Sequence, residues 1–335
     1  MFPDDIWRAI STFMDTHTIL MYRIVNGLSR DVSRYHQPCM NIRGNLKYWR
    51  SSFPHATKIH FLYPREFRET EFLNLTNVST LKVRTYKSIT LVPRMFTYMP
   101  NLTSLNLLGC TPYGTDFTNA ICPQLIRLTE LTLDNNCSIT DVGISHLKNL
   151  TYLYIHNVRG VTTKGLSGLI HLVDLNLYNM EVTDELFDTV NKIERFSDTF
   201  GKITHVGISK LKRLTRVSLN HMRIQNLEGF DALPLTHVTI TYCPIHDIHL
   251  KYLSHVRKLL LYDTPGILGN GFHFLEQVED LAVHRMAIRD EYIDELLTLR
   301  HLKTVHMYET ALSKKKKEEM TQKLHGIFHS EVLYR

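Results

Sequence analysis

The sequence predicts an α/β solenoid, a curved parallel sheet with one short strand per repeat and helices on the convex side. Three observations predict it. First, one template recurs: LTELTLDNN (128–136), LTYLYIHNV (150–158), LVDLNLYNM (172–180), LTRVSLNHM (214–222), LTHVTITYC (235–243), VRKLLLYDT (256–264), VEDLAVHRM (278–286) and LKTVHMYET (302–310). Each reads apolar, two free, apolar, one free, apolar. Second, the period is nearly constant. Anchored on the middle apolar residue, twelve units fall at Ile59, Leu81, Leu105, Leu131, Leu153, Leu175, Phe196, Val217, Val238, Leu259, Leu281 and Val305, in steps of 21 to 26 residues, with the fit poorest at Ile59 and Phe196. Third, the template alternates with period two, as a strand does, whereas the stretches between, such as DVGISHLKNL, suit a helical return. A unit this short cannot bury its own apolar face, so neighbours must stack.

These residues resemble the leucine-rich-repeat family, and CSITDVGISHLKNL and MEVTDELFDTV resemble its cysteine-containing subtype, over roughly residues 56–310. The family's Asn/Cys turn position holds Cys110, Asn136 and Cys243, but Val158, Met180, Met222 and Met286 in other units, which are expected to close that turn without the usual side-chain hydrogen bond.

Alternation sends Leu153 and Ile155 to the core and Tyr152, Tyr154 and His156 to the concave surface. Across the units the outward positions also carry Asn157, Tyr178, Asn179, His221, Tyr242, Tyr262, His284, Arg285, His306 and Tyr308. Rings give large contact area with few rotors to freeze, so this surface is read as the partner site. Tyr154, Tyr178, Tyr242 and Tyr262 are the expected anchors, with His156, His221 and Arg285 as polar contacts. A solvated ladder of stacked side chains is the other reading.

Composition narrows the function classes. The 335-residue chain is 43% hydrophobic, enough for a core, and its net charge of +6 is too small and dispersed for a nucleic-acid footprint. Five cysteines without paired spacing argue against a disulfide framework or zinc site and suit a reducing cytosol or nucleus. The nineteen histidines have no carboxylate at a recurring offset, so neither a metal-ligand set nor a catalytic triad can be assembled, and no cofactor or catalytic residue is expected. DTPGILGNG (263–271) lacks the lysine of a phosphate loop and reads as a convex turn. MFPDDIWRAI carries acids where a signal peptide needs positive charge, and no apolar run approaches the ~20 residues of a membrane span. The NLT sequons at Asn74, Asn101 and Asn149 look like by-products of the recurring strand start.

Residues 1–43 lack the repeat. Pro3 suits a first helical position, Asp4 and Asp5 complement the helix amino terminus, and Ile6, Trp7, Ile10, Phe13 and Met14 share a face. A second helix is expected from Ile19, with Leu20, Ile24, Val25, Leu28 and Val32 at helical spacing. FPDDIWRAISTFMDTHTILMYRIVNGLSRDV resembles the F-box without gaps. Phe2 and Pro3 stand at its Leu-Pro start, Asp5 at its acidic position, Ile10 and Met14 at core positions, Asp15 at the inter-helix turn, and Leu20, Ile24 and Val25 in its second helix. Gly27 and Ser29 depart from the basic residue and Trp usual there.

The resemblance implies a substrate-recognition subunit of an SCF-type cullin-RING ubiquitin ligase. Phe2, Pro3, Ile6, Ile10, Met14, Leu20, Ile24 and Val25 would bind the Skp-type adaptor and, through it, the cullin, while the solenoid holds a protein substrate. The alternative is a non-ligase leucine-rich-repeat scaffold or inhibitor whose first helices are only a cap; exposure or burial of the Phe2, Pro3, Ile10 and Met14 face separates the two. The expected organisation is an F-box-like domain at 1–43, a linker at 44–55, the solenoid at 56–310 and a cap at 311–335. In that cap Met320, Leu324 and Ile327 lie at helical spacing after SKKKKEEM, whose lysines read as a solvated face, with a nuclear import signal as the other reading.

Overall fold

A computed structural model describes residues 39–43, 56–62, 67–73, 75–84, 91–108, 117–136 and 138–330, the first of these segments and residue 71 as backbone only. The chain divides into two compact units, residues 1–171 and 172–335.

In the first unit, six parallel strands pair in sequence order: β1 Cys39–Arg43, β2 Lys58–Leu62, β3 Thr80–Arg84, β4 Ser104–Leu108, β5 Glu130–Asp134 and β6 Tyr152–His156. β1 lies ahead of the first template match. The second unit carries β7 Asp174–Tyr178, β8 Arg195–Thr199, β9 Arg216–Asn220, β10 His237–Thr241, β11 Lys258–Tyr262, β12 Asp280–His284, β13 Thr304–Tyr308 and the short β14 Phe328–His329, again parallel and in order. The poorly fitting units at Ile59 and Phe196 form strands in full register with their neighbours.

Zero lateral offset is what builds the core. The second residues of successive strands, Leu175, Phe196, Val217, Val238, Leu259, Leu281 and Val305, stand side by side, each no more than 3% exposed. Ahead of β3, β4, β5 and β6 a hydroxyl residue joins the ladder: Ser79, Thr103, Thr129 and Thr151 each donate backbone N–H and side-chain O–H to the carbonyl of their counterpart one repeat back. The sequon residues Asn101 and Asn149 donate their side-chain amides to Thr76 O (2.8 Å) and Ile126 O (2.7 Å) of the preceding repeat.

The helical returns are shorter than DVGISHLKNL suggests. They are single turns, Asp141–Ile144, Thr163–Leu166 and His205–Ile208, or 3-10 segments such as Asp184–Asp188, Asp247–Leu253 and Ile293–Thr298. Strands stack every ~4.8 Å, whereas an α-helix with side chains is ~10 Å across, so slim elements match the repeat spacing better.

Neighbouring returns are tied by one recurring device. Asp141 accepts from Thr162 N (2.7 Å) and Thr162 Oγ1 (2.8 Å), and Asp184 from Thr204 N (2.8 Å) and Thr204 Oγ1 (2.5 Å). Asn119 takes Thr140 N and Gly143 N in the same way. Each carboxylate or amide fills the space that a Cβ would need at Gly143, Gly165 or Gly207. The glycine-bearing 263–271 segment is an internal turn of this kind, with Leu268, Gly269 and Gly271 N–H groups all donating to Asp247.

The helix Lys314–Lys323 buries Met320 completely, and Phe328 that follows is 5% exposed. Two of its lysines are docked: Lys316 pairs with Asp294 (2.7 Å) and Glu319, and Lys323 with Glu319 and Asp294.

Candidate functional site

The solvent face of the sheet is built from strand positions one, three and five and from the residue that follows each strand. That following residue has positive φ in nine successive units: Asn135, Asn157, Asn179, Phe200, His221, Tyr242, Asp263, Arg285 and Glu309. The reason is a hydrogen bond. The left-handed turn lets the N–H of this residue reach the fifth-position carbonyl of the next strand, as Phe200 N does to Asn220 O (3.1 Å), His221 N to Thr241 O and Tyr242 N to Tyr262 O (both 2.9 Å). Asparagine adopts this conformation readily and histidine is enriched in it, whereas Phe and Tyr adopt it at a cost.

Register and turn together generate a continuous row of rings in the second unit. Tyr178, Phe200, His221, Tyr242, Tyr262, His284 and Tyr308 follow one another with centroid separations of 5.7, 4.5, 4.1, 5.3, 6.1 and 4.9 Å. Phe200 is 47% exposed. Arg285 closes the row on one side, donating to Tyr262 Oη (3.1 Å), standing over that ring and pairing with Glu309 (3.4 Å). This guanidinium pulls the Tyr262 phenol below its usual range, and the hydrogen bond to Tyr262 raises Tyr242. Burial holds His284 and His306 below the ordinary imidazole value, with a smaller push from His306 on His284 and from His329 on His306. His306 stacks on His329 at 4.9 Å.

Of the residues singled out in the sequence, Tyr178, His221, Tyr242, Tyr262, His284 and Tyr308 therefore meet in one row, and Arg285 joins it. Tyr152, Tyr154 and His156 lie on β6 in the first unit, where His156 Nδ1 meets Asp134 Oδ1 at 2.6 Å. Phe200 was missed because its repeat matches the template poorly. The adaptor-binding set Phe2, Pro3, Ile6, Ile10, Met14, Leu20, Ile24 and Val25 lies outside the described residues, as does Cys110.

At the turn position, Asn136 Oδ1 accepts from Ser138 N and Ile139 N, and the buried Cys243 thiol reaches Leu219 O and Thr241 O. Burial raises the Cys243 pKa and pushes that of Cys122 up to about 12, so neither thiol is a ready nucleophile. Val158, Met180, Met222 and Met286 are buried there as apolar plugs. Among the described residues no cluster of three His, Cys, Asp or Glu could hold a metal ion, and no helix is long and apolar enough to cross a membrane.

The architecture is similar to an internalin (inlF) from Listeria monocytogenes, with a TM-score of 0.66, 16% identity and coverage of 97% of each chain. It is also similar to an LRR protein of Leptospira interrogans, with a TM-score of 0.52, 16% identity and coverage of 88% of this chain and 89% of that one. No protein-family model and no curated protein matches the chain. The fold is the leucine-rich-repeat solenoid.

Proposed function

We propose that this chain is a protein-binding receptor whose partner lies on the solvent face of the second unit's sheet, and that it serves as the substrate-recognition subunit of an SCF-type cullin-RING ubiquitin ligase. The ring row carries the binding reading. Seven consecutive rungs present rings where short polar side chains would suffice to wet the surface, and two of those rings, on Phe200 and Tyr242, sit in a backbone conformation their side chains disfavour. Aromatic anchors of this kind dominate protein interfaces.

The ligase role rests on the sequence of residues 2–32, which aligns with the F-box without gaps and departs from it at Gly27 and Ser29. In that role the chain performs no chemistry. It supplies proximity, holding a substrate near a conjugating enzyme brought by the Skp-type adaptor and cullin. The cytosol or nucleus is the matching location.

Two measurements test the two parts separately. Co-expression with a Skp-type adaptor should yield a complex that the double change Pro3→Ala, Ile10→Ala abolishes; an adaptor that never co-purifies with the wild-type chain removes the ligase role. A photo-crosslinking amino acid at position 221 should capture a partner protein that the same group at the convex, 64% exposed Val142 does not. Equal capture from both positions removes the sheet-face site.

A further inference from the structure

Beside the ring row the second unit's sheet forms a trough. Strand position one supplies a wall of Arg195, Arg216, His237 and Lys258, side by side in register. Position three supplies a low floor of Ser197, Ser218 and Thr239 that continues into Leu260 and Ala282.

Two features of this trough are unspent. Arg195 is held by Asp174 at 2.7 Å and Lys258 by Asp280 at 2.6 Å, whereas the exposed Arg216 has no ion pair or side-chain hydrogen bond among the described residues. His237 between them does not add charge at neutral pH, because burial, and then Arg216 and Lys258, hold its pKa below the ordinary value. Farther along, the floor drops into a cleft of about 170 Å³ at Ala282, walled by Leu260, His306, Thr239 and the Lys258–Asp280 pair. Small Ala282 between Leu260 and His306 is what opens it.

We infer that the trough binds an extended segment of the partner protein that places an acidic side chain on Arg216 and an aliphatic side chain in the Ala282 cleft. This rests on the sheet-face reading above and specifies what that face selects. A lone guanidinium offers a paired, charge-assisted contact to a carboxylate. The apolar floor of the cleft, with Lys258 already neutralised, suits an uncharged side chain. Arg216 stands at position one of β9 and Ala282 at position three of β12, about 14 Å across the sheet at ~4.8 Å per strand and about 7 Å along it, so about 16 Å in all, which an extended chain covers in about five residues. Asp174 and Asp280 in the same row disfavour a polyanion such as a nucleic acid, which would have to lie across both carboxylates.

The test is selection of a phage-displayed library of random 12-residue peptides on the purified full chain, followed by fluorescence polarisation with the enriched peptides. Enriched sequences should carry Asp or Glu about five residues from Leu, Ile, Val or Met. Arg216→Glu should weaken them by about tenfold and Ala282→Phe by about fivefold, while Lys212→Glu, off the sheet face, leaves affinity unchanged. Replacing the peptide's acid by its amide should cost about the same tenfold in the wild type and little in the Arg216→Glu background. Enriched peptides without the acid, indifference to Arg216→Glu, or no enrichment at all overturns the inference. Peptides that ignore Arg216→Glu and Ala282→Phe but are lost when Phe200, His221 and Tyr242 become Asn would leave the ring-row site standing and remove only this specificity.

Discussion

The carboxyl of Asp198 occupies the space that a side chain at Gly201 would fill: a Cβ built on Gly201 overlaps both carboxylate oxygens. Asp198 stands at the fourth strand position, where neighbouring strands bury Leu177, Leu219, Ile240 and Leu261, and Gly201 at the turn position, where Met180, Met222 and Cys243 plug the core. An acid in the core and a missing plug thus compensate one another sterically. They do not compensate electrically. Asp198 is 1% exposed, neither carboxylate oxygen has a well-aligned hydrogen-bond partner among the described residues, and burial, opposed by a smaller pull from the Thr199 backbone N–H, pushes its pKa up to about 7.

That pairing gives a pH signature with a definite sign. The folded pKa lies above the unfolded one, so the group's stabilising contribution is full below about pH 4 and is lost as pH rises through about 7. A shift of about three units sets an upper limit of ~4 kcal/mol. Asp198→Asn should raise the urea midpoint at pH 8 by an amount equivalent to ~2 kcal/mol and change it little at pH 4.5. An equal gain at both pH values would mean that the carboxyl is not the cause.

The carboxylate-and-glycine device predicts non-additivity. Gly207→Ala should cost ~2 kcal/mol, because the three atoms nearest its Cβ all belong to the Asp184 side chain. Asp184→Ala should cost ~1–2 kcal/mol through loss of the bonds to Thr204. With both changes made, most of the cost of the alanine at 207 should disappear, because only the β-carbon of residue 184 still crowds it, at 3.0 Å, so denaturation of the double variant should lie close to that of Asp184→Ala alone.

The left-handed position offers ring removal without backbone damage. Asn135, Asn157 and Asn179 already hold that place in other units. Replacing Phe200, His221 and Tyr242 together by Asn should therefore move the melting temperature by no more than about 2 °C while abolishing capture of the partner at the sheet face. Valine at position 242 should lower it clearly, since a β-branched residue is strained at positive φ.

His284 and His306 should titrate below the ordinary imidazole range, and the sign again follows. Their folded pKa values are depressed by burial, so the stability they contribute is present above pH 6.5 and is lost as pH falls through the folded values. NMR titration of the ring protons should show both midpoints below 6.5, with His306 rising toward the ordinary value in His329→Ala. A His306 midpoint unmoved by that change would sink the coupling.

The sequence by itself determined the fold and the direction of most side chains. A strand alternates with period two and a stacked unit must repeat its apolar anchors, so Leu153, Leu175 or Val217 can be assigned to the core, and Tyr178, Tyr262 and Tyr308 to the face, from local spacing alone. What the tertiary structure decided is which outward residues are neighbours. Phe200 enters the ring row although its repeat hardly matches the template, because zero lateral offset and a left-handed turn bring it between Tyr178 and His221. Arg216 is left unpaired among the described residues, and Ala282 opens a cleft, only because of what stands beside them on strands about twenty residues away in each direction. Asp198 could not be placed by pattern at all, since its acceptance in the core depends on a side chain that Gly201 lacks. Alternation is a property of one chain segment, whereas charge compensation, stacking and vacant volume are properties of contacts between segments, and those exist only once the repeats have packed.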